Sequence, residues 1–350
     1  MSVLNRMYRG ETNFDFIAIS KKTLVASGIA IVLSLLILVV RPLNLSIDFT
    51  GGTIVVVPNE SEVGVEDVRD SLRDVGQGGA RVQITGEGFI LVQTEALDAS
   101  SQDELVRAVA VVAGVTVNEV NVDAVGPTFG DEVTRRAAIA LFVFLAAVAA
   151  FISLRFEWKM AVSGLAALFH DLIVTAGIYA LIGFSVTPAT VIALLTILGY
   201  SLYDTVVVFD KVTENVHELH GRATYTEIMN LSLNQVLMRS INTSLTSLIP
   251  IGSLLFVGSF VLGAETLTEF SLALFIGVAI GTYSSIFIAA PLLTRFKEGE
   301  DEWVRTRRRV ERRRGLEPAD AEEVVVTETA VEVADHRAVP RPPKQRRKRR

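Results

Sequence analysis

The sequence predicts an α-helical polytopic membrane protein of six transmembrane helices with one small α+β, ferredoxin-like extracytoplasmic domain. Three observations carry this prediction. Half of the 350 residues are hydrophobic and the mean hydropathy is +0.43, high for a water-soluble chain. Six apolar runs approach the ~20 residues that a helix needs to cross about 30 Å of hydrocarbon. Between the first and second runs lies a polar stretch in which short strand and helix patterns alternate.

Composition removes several function classes. The chain has no Cys, which excludes disulfides, thiol catalysis and Cys-based metal sites. Its four histidines, His170, His217, His220 and His336, form no HExxH pattern. His217 and His220 stand three apart on a polar helical stretch and read as solvated side chains rather than a metal pair. No catalytic group, metal or cofactor is expected, and no enzymatic activity. The first apolar run lacks a cleavage site and reads as a retained helix.

The elements follow in order. Residues 1–22 are polar and carry Arg6, Arg9, Lys21 and Lys22. The first span occupies 23–41 and is closed by Arg41-Pro42. Residues 42–134 form the external domain. The pair Gly51-Gly52 reads as a tight turn into a strand. A strand (53–58), a helix (63–75), two strands (81–85 and 89–94) joined at Gly86-Glu87-Gly88, a helix (100–112) capped by Ser100 or Ser101, and a last strand (119–125) give the order of a split βαβ domain. This region holds sixteen acidic residues against four Arg and no Lys. They are scattered and read as a solvated surface. Residues 135–295 contain spans two to six: about 137–154, 160–182, a fourth that starts at about 187 and carries Asp204, then 241–262 and 267–292. Residues 211–240 read as an amphipathic helix and loop at the membrane surface. Pro250 marks a kink in span five, and Gly277-xxx-Gly281 permits a close helix approach in span six. The charged tail, 296–350, reads as disordered. Its basic end suits anionic lipid, ribosomal RNA or a plain topology anchor.

Six spans place both ends on one side. The N-terminus, the Arg155–Lys159 turn, the 211–240 segment and the tail all carry Lys or Arg, whereas the two short opposite turns carry none. Both termini are therefore expected in the cytoplasm, against the dissent of Arg135-Arg136.

The candidate chemistry sits in span four. Pro188 suits a first helical turn, and Asp204 lies roughly 24 Å further along the helix. Thr196, Tyr200 and Asp204 recur every four residues and share a polar face. An acid at that depth is costly unless paired, hydrated or protonated, so it reads either as a proton or ion site or as a structural hydrogen bond. Arg239, Thr243 and Thr246 share a face at the cytoplasmic end of span five, at a comparable depth. An apolar setting favours the protonated acid and a nearby Arg the ionised one. Asp171, after His170 in span three, lies roughly 17 Å into its helix. It reads equally as a relay member or as a packing hydrogen bond.

Several segments, in order along 48–244, carry a family resemblance: Asp48-Phe49-Thr50-Gly51-Gly52, Val125-Gly126-Pro127, Arg155-Phe156-Glu157-Trp158-Lys159, His170-Asp171, Gly199-Tyr200-Ser201 with Asp204–Asp210, and Arg239-Ser240-Ile241-Asn242-Thr243-Ser244. On these the chain resembles the SecF family, membrane subunits of the SecDF protein-export complex in the RND superfamily. The resemblance implies a SecD partner supplying the other six-helix half, work with the SecYEG channel after the SecA stage, and use of the proton-motive force to draw preproteins outward. It further implies YajC as a partner, cell-membrane lipid as the surroundings and no specific nucleic acid. It assigns the membrane acid to Asp204 and the arginine opening the fifth helix to Arg239. Asp48, Gly51, Gly52, Gly126 and Pro127 come with it as structural motif positions. Tyr203 departs from the family's usual Asn. Two rivals remain at this level: a half of a small-molecule or lipid exporter of the same superfamily, and a scaffold that transduces nothing.

Overall fold

The computed structural model describes residues 12–85, 88–261 and 265–315. Six helices are long and apolar enough to cross a membrane. Ser20–Val40 (α1) leads through the short strand Asn44–Leu45 (β1) and the single turn Ile47–Thr50 (α2) into the α+β domain. That domain comprises Gly52–Pro58 (β2), Val65–Asp74 (α3), Arg81–Ile84 (β3), Phe89–Thr94 (β4), Ala99–Ala113 (α4) and Asn121–Val125 (β5). The chain then forms Pro127–Arg155 (α5), Trp158–Ile182 (α6), Ser185–Val186 (β6), Pro188–Leu219 (α7), Tyr225–Phe260 (α8) and Glu265–Ser284 (α9). A π-turn, Ser285–Ala289, joins α9 to Ala290–Glu298 (α10), and Asp301–Arg313 (α11) follows.

The α+β domain has the expected split βαβ topology. Its strand order is β3-β4-β2-β5, with every neighbouring pair antiparallel. Period-two alternation sends Val55, Val57, Ile90 and Val92 to one face, where Val68 and Leu72 of α3 and Leu105 and Val109 of α4 cover them. The β3–β4 hairpin closes through Thr85 N–H to Phe89 O, 2.9 Å. Gly86 and Glu87 at its tip lie outside the described residues. The cap of α4 is Asp98, two residues before Ser100 and three before Ser101: its carboxylate accepts from Ser101 N–H at 2.9 Å. That bond, with those to the Ser100 and Ser101 side chains, holds the carboxyl below its ordinary range.

The junction with the membrane bundle is built around the glycine pair. Gly51 and Gly52 have φ of 70° and 137°, a region that side chains resist. A Cβ on Gly51 would lie 2.7 Å from Pro127 Cα, and one on Gly52 would strike the Thr94 carbonyl. Gly126 caps α5 and Pro127 opens it, so these four motif residues meet at one knot. Asp48 sits in α2, where its carboxylate accepts from Ser46 Oγ at 3.0 Å. A two-residue parallel bridge, Asn44 with Ser185 and Leu45 with Val186, ties the exit of α1 to the α6–α7 turn.

Within the bundle, Gly277 and Gly281 serve an internal contact. They let α9 approach α7 so closely that a Cβ at Gly277 would strike Ile197, and one at Gly281 would lie 2.9 Å from Ser201 Cβ. Helix α8 runs through Pro250 unbroken.

Two expectations are corrected at the end of the bundle opposite the α+β domain. Residues 211–240 are not a separate surface helix and loop. Helix α7 continues to Leu219 and α8 begins at Tyr225. Val208, Phe209 and Val212 bury against Tyr225, Ile228, Met229 and Leu233, an apolar stripe hidden among charges. Nor is the tail disordered from residue 296. Trp303, Thr306 and Val310, at helical spacing, are buried on one side of α11. The Trp303 ring lies edge-on to Tyr225 with centroids 4.8 Å apart. Residues 316–350 lie outside the described residues.

An ionic cluster bolts this end together. Lys159 meets Glu300 at 2.8 Å, and Lys297 meets Glu157 at 2.6 Å and Glu300 at 3.0 Å. Partial burial alone would raise the Glu300 carboxyl, but hydrogen bonds from Lys159 and Lys297 bring it below its ordinary value.

Candidate functional site

Helix α7 turns Asp204 inward, where it is 5% exposed. Its Oδ1 has no hydrogen-bond partner, and neither does the buried Ser240 Oγ on α8. A cavity of about 10 Å³ opens beside the carboxyl, lined by Tyr200, Ser201, Thr243, Ser244, Val278 and Thr282 among others. That is room for a single water. Three of the lining hydroxyls bond to their own helix: Thr243 donates to Arg239 O at 2.9 Å, Ser244 to Ser240 O at 2.7 Å and Thr282 to Val278 O at 2.8 Å. A buried carboxyl oxygen without a donor is uncommon and marks a site where a proton, water or ion completes the set.

The polar face expected from Thr196, Tyr200 and Asp204 divides in the structure. Four residues turn a helix by about 400°, so each step drifts some 40°. Asp204 is buried, Tyr200 is half exposed at the cavity wall, and Thr196 is exposed and donates to Ile192 O at 2.8 Å. On α8, Thr243 borders the cavity, while Thr246 is exposed and bonds to Asn242 O at 2.9 Å.

Arg239 does not meet Asp204. Its Nη2 donates to the Tyr203 hydroxyl at 2.9 Å, and the guanidinium carbon lies 5.8 Å from the Tyr203 ring centroid. Tyr203 has taken the arginine, so the expected approach of Arg239 to the ionised acid is not what this conformation holds.

Asp171 lies in a different setting. It is fully buried. Oδ2 accepts from Ser201 Oγ at 2.6 Å and Ser284 Oγ at 2.8 Å, and Oδ1 lies 3.1 Å from His170 Nδ1. Ser285 binds Thr205 Oγ1 at 2.9 Å and opens the π-turn. This network knits α6, α7 and α9. Sequence reasoning missed Ser201, Ser284 and Ser285. The available signal was a Ser-Ser pair inside an apolar run. Among the described residues no group of three His, Asp or Glu side chains is placed to hold a metal ion.

A family model described as the C-terminal region of protein export membrane protein SecD/SecF matches residues 105–299, and one for the SecD/SecF GG motif matches 36–58. Protein translocase subunit SecF of Streptomyces coelicolor is 40% identical over 91% of this chain and 86% of its own length. The chain belongs to the SecF family. SecF of Mycobacterium tuberculosis is 41% identical over 92% of this chain and 76% of its own. The crystal structure of SecDF from Thermus thermophilus, a translocon-associated membrane protein, superposes with a TM-score of 0.75 at 35% identity. It matches 83% of this chain, which spans only 39% of that SecDF chain. Membership places the chain among multi-pass membrane proteins of protein export. The GG-motif match includes the glycine knot at Gly51-Gly52.

Proposed function

We propose that this SecF-family chain is one half of a proton-driven export motor, in which Asp204 changes its protonation during the cycle. Its other half is a SecD chain. Together they draw preproteins outward through SecYEG after the SecA-driven stage, with YajC as a further partner. The observation that carries the reading is the buried, unpartnered Asp204 Oδ1 beside a water-sized cavity. An intramembrane acid of this kind has two charge states that favour different helix packings. A charge crossing the membrane potential supplies about 2.3 kcal/mol per 100 mV. That biases a two-state packing by tens-fold, since about 1.4 kcal/mol is a factor of ten.

Asp204→Asn fixes a neutral, near-isosteric group. In inverted vesicles containing this chain, SecD, SecYEG and SecA, the variant complex is expected to assemble and to retain the ATP-driven stage. Its gradient-driven increment should drop by about tenfold or more. A normal increment removes Asp204 from the proton path.

The same reading puts the α+β domain outside and both termini inside. Arg135 and Arg136, which oppose this by charge, are both bound to Glu132, at 2.8 and 2.7 Å. Single cysteines test it at two exposed positions: Asp103→Cys should react with an impermeant maleimide on intact cells, and Arg222→Cys only after permeabilisation. Inverted labelling reverses the topology.

A further inference from the structure

A cleft of about 420 Å³ lies between α5, α7 and α8, beside the Asp204 site. Three cations line it. Arg155 pairs with Asp210 at 3.3 Å, and Lys211 pairs with Glu214 at 2.7 Å. Among the described residues Arg239 alone of the three forms no ion pair. Its partner is the neutral Tyr203, by hydroxyl and by ring face. The next residue, Asp204, is the carboxyl whose buried oxygen has no donor. A cation outside any ion pair and a buried carboxyl oxygen without a hydrogen-bond partner thus stand on adjoining helices.

The chemistry makes that separation reversible. A phenol hydroxyl is a neutral acceptor and an aromatic face a modest cation site. Together they hold a guanidinium more weakly than a carboxylate does, because charge-assisted bonds are the stronger ones. Tyr203 is 48% exposed and Asp204 is 5% exposed, so consecutive residues offer the arginine an open post and a buried one. The arginine side chain is long and rotamer-rich, which suits an exchange between neighbouring posts.

The geometry points to Tyr203 as the holding post for Arg239: it keeps the guanidinium off Asp204 while the carboxyl carries its proton, and yields it once the carboxylate forms. Tyr203 is then a positioning residue, and the inference rests on the reading of Asp204 as the proton-coupled acid. Without the post, the arginine sits on the carboxylate throughout the cycle and competes with the incoming proton.

The test uses the complete complex in vesicles, scored for the ATP-driven stage and the gradient-driven increment separately. Tyr203→Phe keeps the ring and removes the acceptor, and Tyr203→Leu removes both. The increment is expected to drop by about threefold and about tenfold respectively, with the ATP-driven stage changed by less than about twofold. Arg239→Lys should also lower it, since a point charge loses the planar contact with the ring. Because Tyr203 acts through Arg239, the double variant Tyr203→Leu, Arg239→Lys should be no worse than the more severe single variant, as for two side chains acting through one contact, and the spared ATP-driven stage is the readout that a merely structural role would not leave unmoved. Full retention of the increment in Tyr203→Leu overturns the inference. So do additive effects in the double variant, or an equal loss in both stages. A normal increment in Asp204→Asn defeats the underlying reading instead, and that result is independent of the Tyr203 variants.

Discussion

Gly52→Ala is expected to prevent stable assembly of the α+β domain on the membrane bundle. The residue has φ of 137°, and a Cβ there would meet the Thr94 backbone carbonyl across the β2–β4 ladder. Neither side can yield cheaply. Thr94 pairs with Thr53 in that ladder, and Gly51 is pressed against Pro127. Conformational strain alone costs about 1–3 kcal/mol, and a backbone collision adds to it. Against a total stability of about 5–15 kcal/mol the sum is severe. Gly126→Ala is the control. Its φ is −67° and a Cβ would touch nothing within 4 Å, so the cost should stay within about 1 kcal/mol as at other helix caps. Membrane accumulation and the melting temperature in mild detergent measure both. Equal behaviour of the two variants would show that the glycine knot does not hold the junction.

The contrast between these glycines shows where sequence reasoning reached and where it stopped. Gly51-Gly52 announced a turn, because glycine alone tolerates such backbone angles, and Pro188 announced a helix start, because its ring fixes φ; both cues are local. The βαββαβ order was legible for the same reason: Val55, Val57, Ile90 and Val92 alternate locally. The extension of α7 was not. Lys211, Glu214 and Glu218 dominate the composition of that stretch, and only the spacing of Val208, Val212 and Asn215 records the buried side. The same holds for Trp303, Thr306 and Val310 within an arginine-rich segment. The β1–β6 bridge is two residues long, too short for any period to register.

The candidate site divides along the same line. Asp204 stood out as an acid in an apolar run, and the structure buries it. Its cavity depends on how α7, α8 and α9 pack, which no local spacing encodes. Arg239 was legible as a partner in search of an acid, but two candidate acceptors, Tyr203 and Asp204, are adjacent in the chain. The choice between them is made by a long side chain in three dimensions. The serines around Asp171 became visible only when three helices were brought together.

Asp171→Ala is expected to destabilise the bundle by about 2–4 kcal/mol, because it strands the donors that converge on the carboxylate. Ser284 has an alternative acceptor in Gly281 O at 3.1 Å. Ser201 and His170 lose theirs, deep between helices where water does not replace them. Asp171→Asn separates packing from proton transfer. Its carbonyl oxygen can still accept from both serines, and its amide can donate to His170 Nδ1 in the tautomer that leaves that nitrogen bare. Asp171 already has three partners and lines none of the cavities described above, so the packing role is the expected one. The Asn variant should melt within a few degrees of the native complex, since about 1 kcal/mol moves even a domain of roughly 150–250 residues by only about 2–4 °C. It should also keep its gradient-driven increment, whereas Asp204→Asn loses it. Loss of the increment in a stable Asp171→Asn complex would instead make Asp171 a second station on the proton path, linked to Asp204 through the Ser201 hydroxyl.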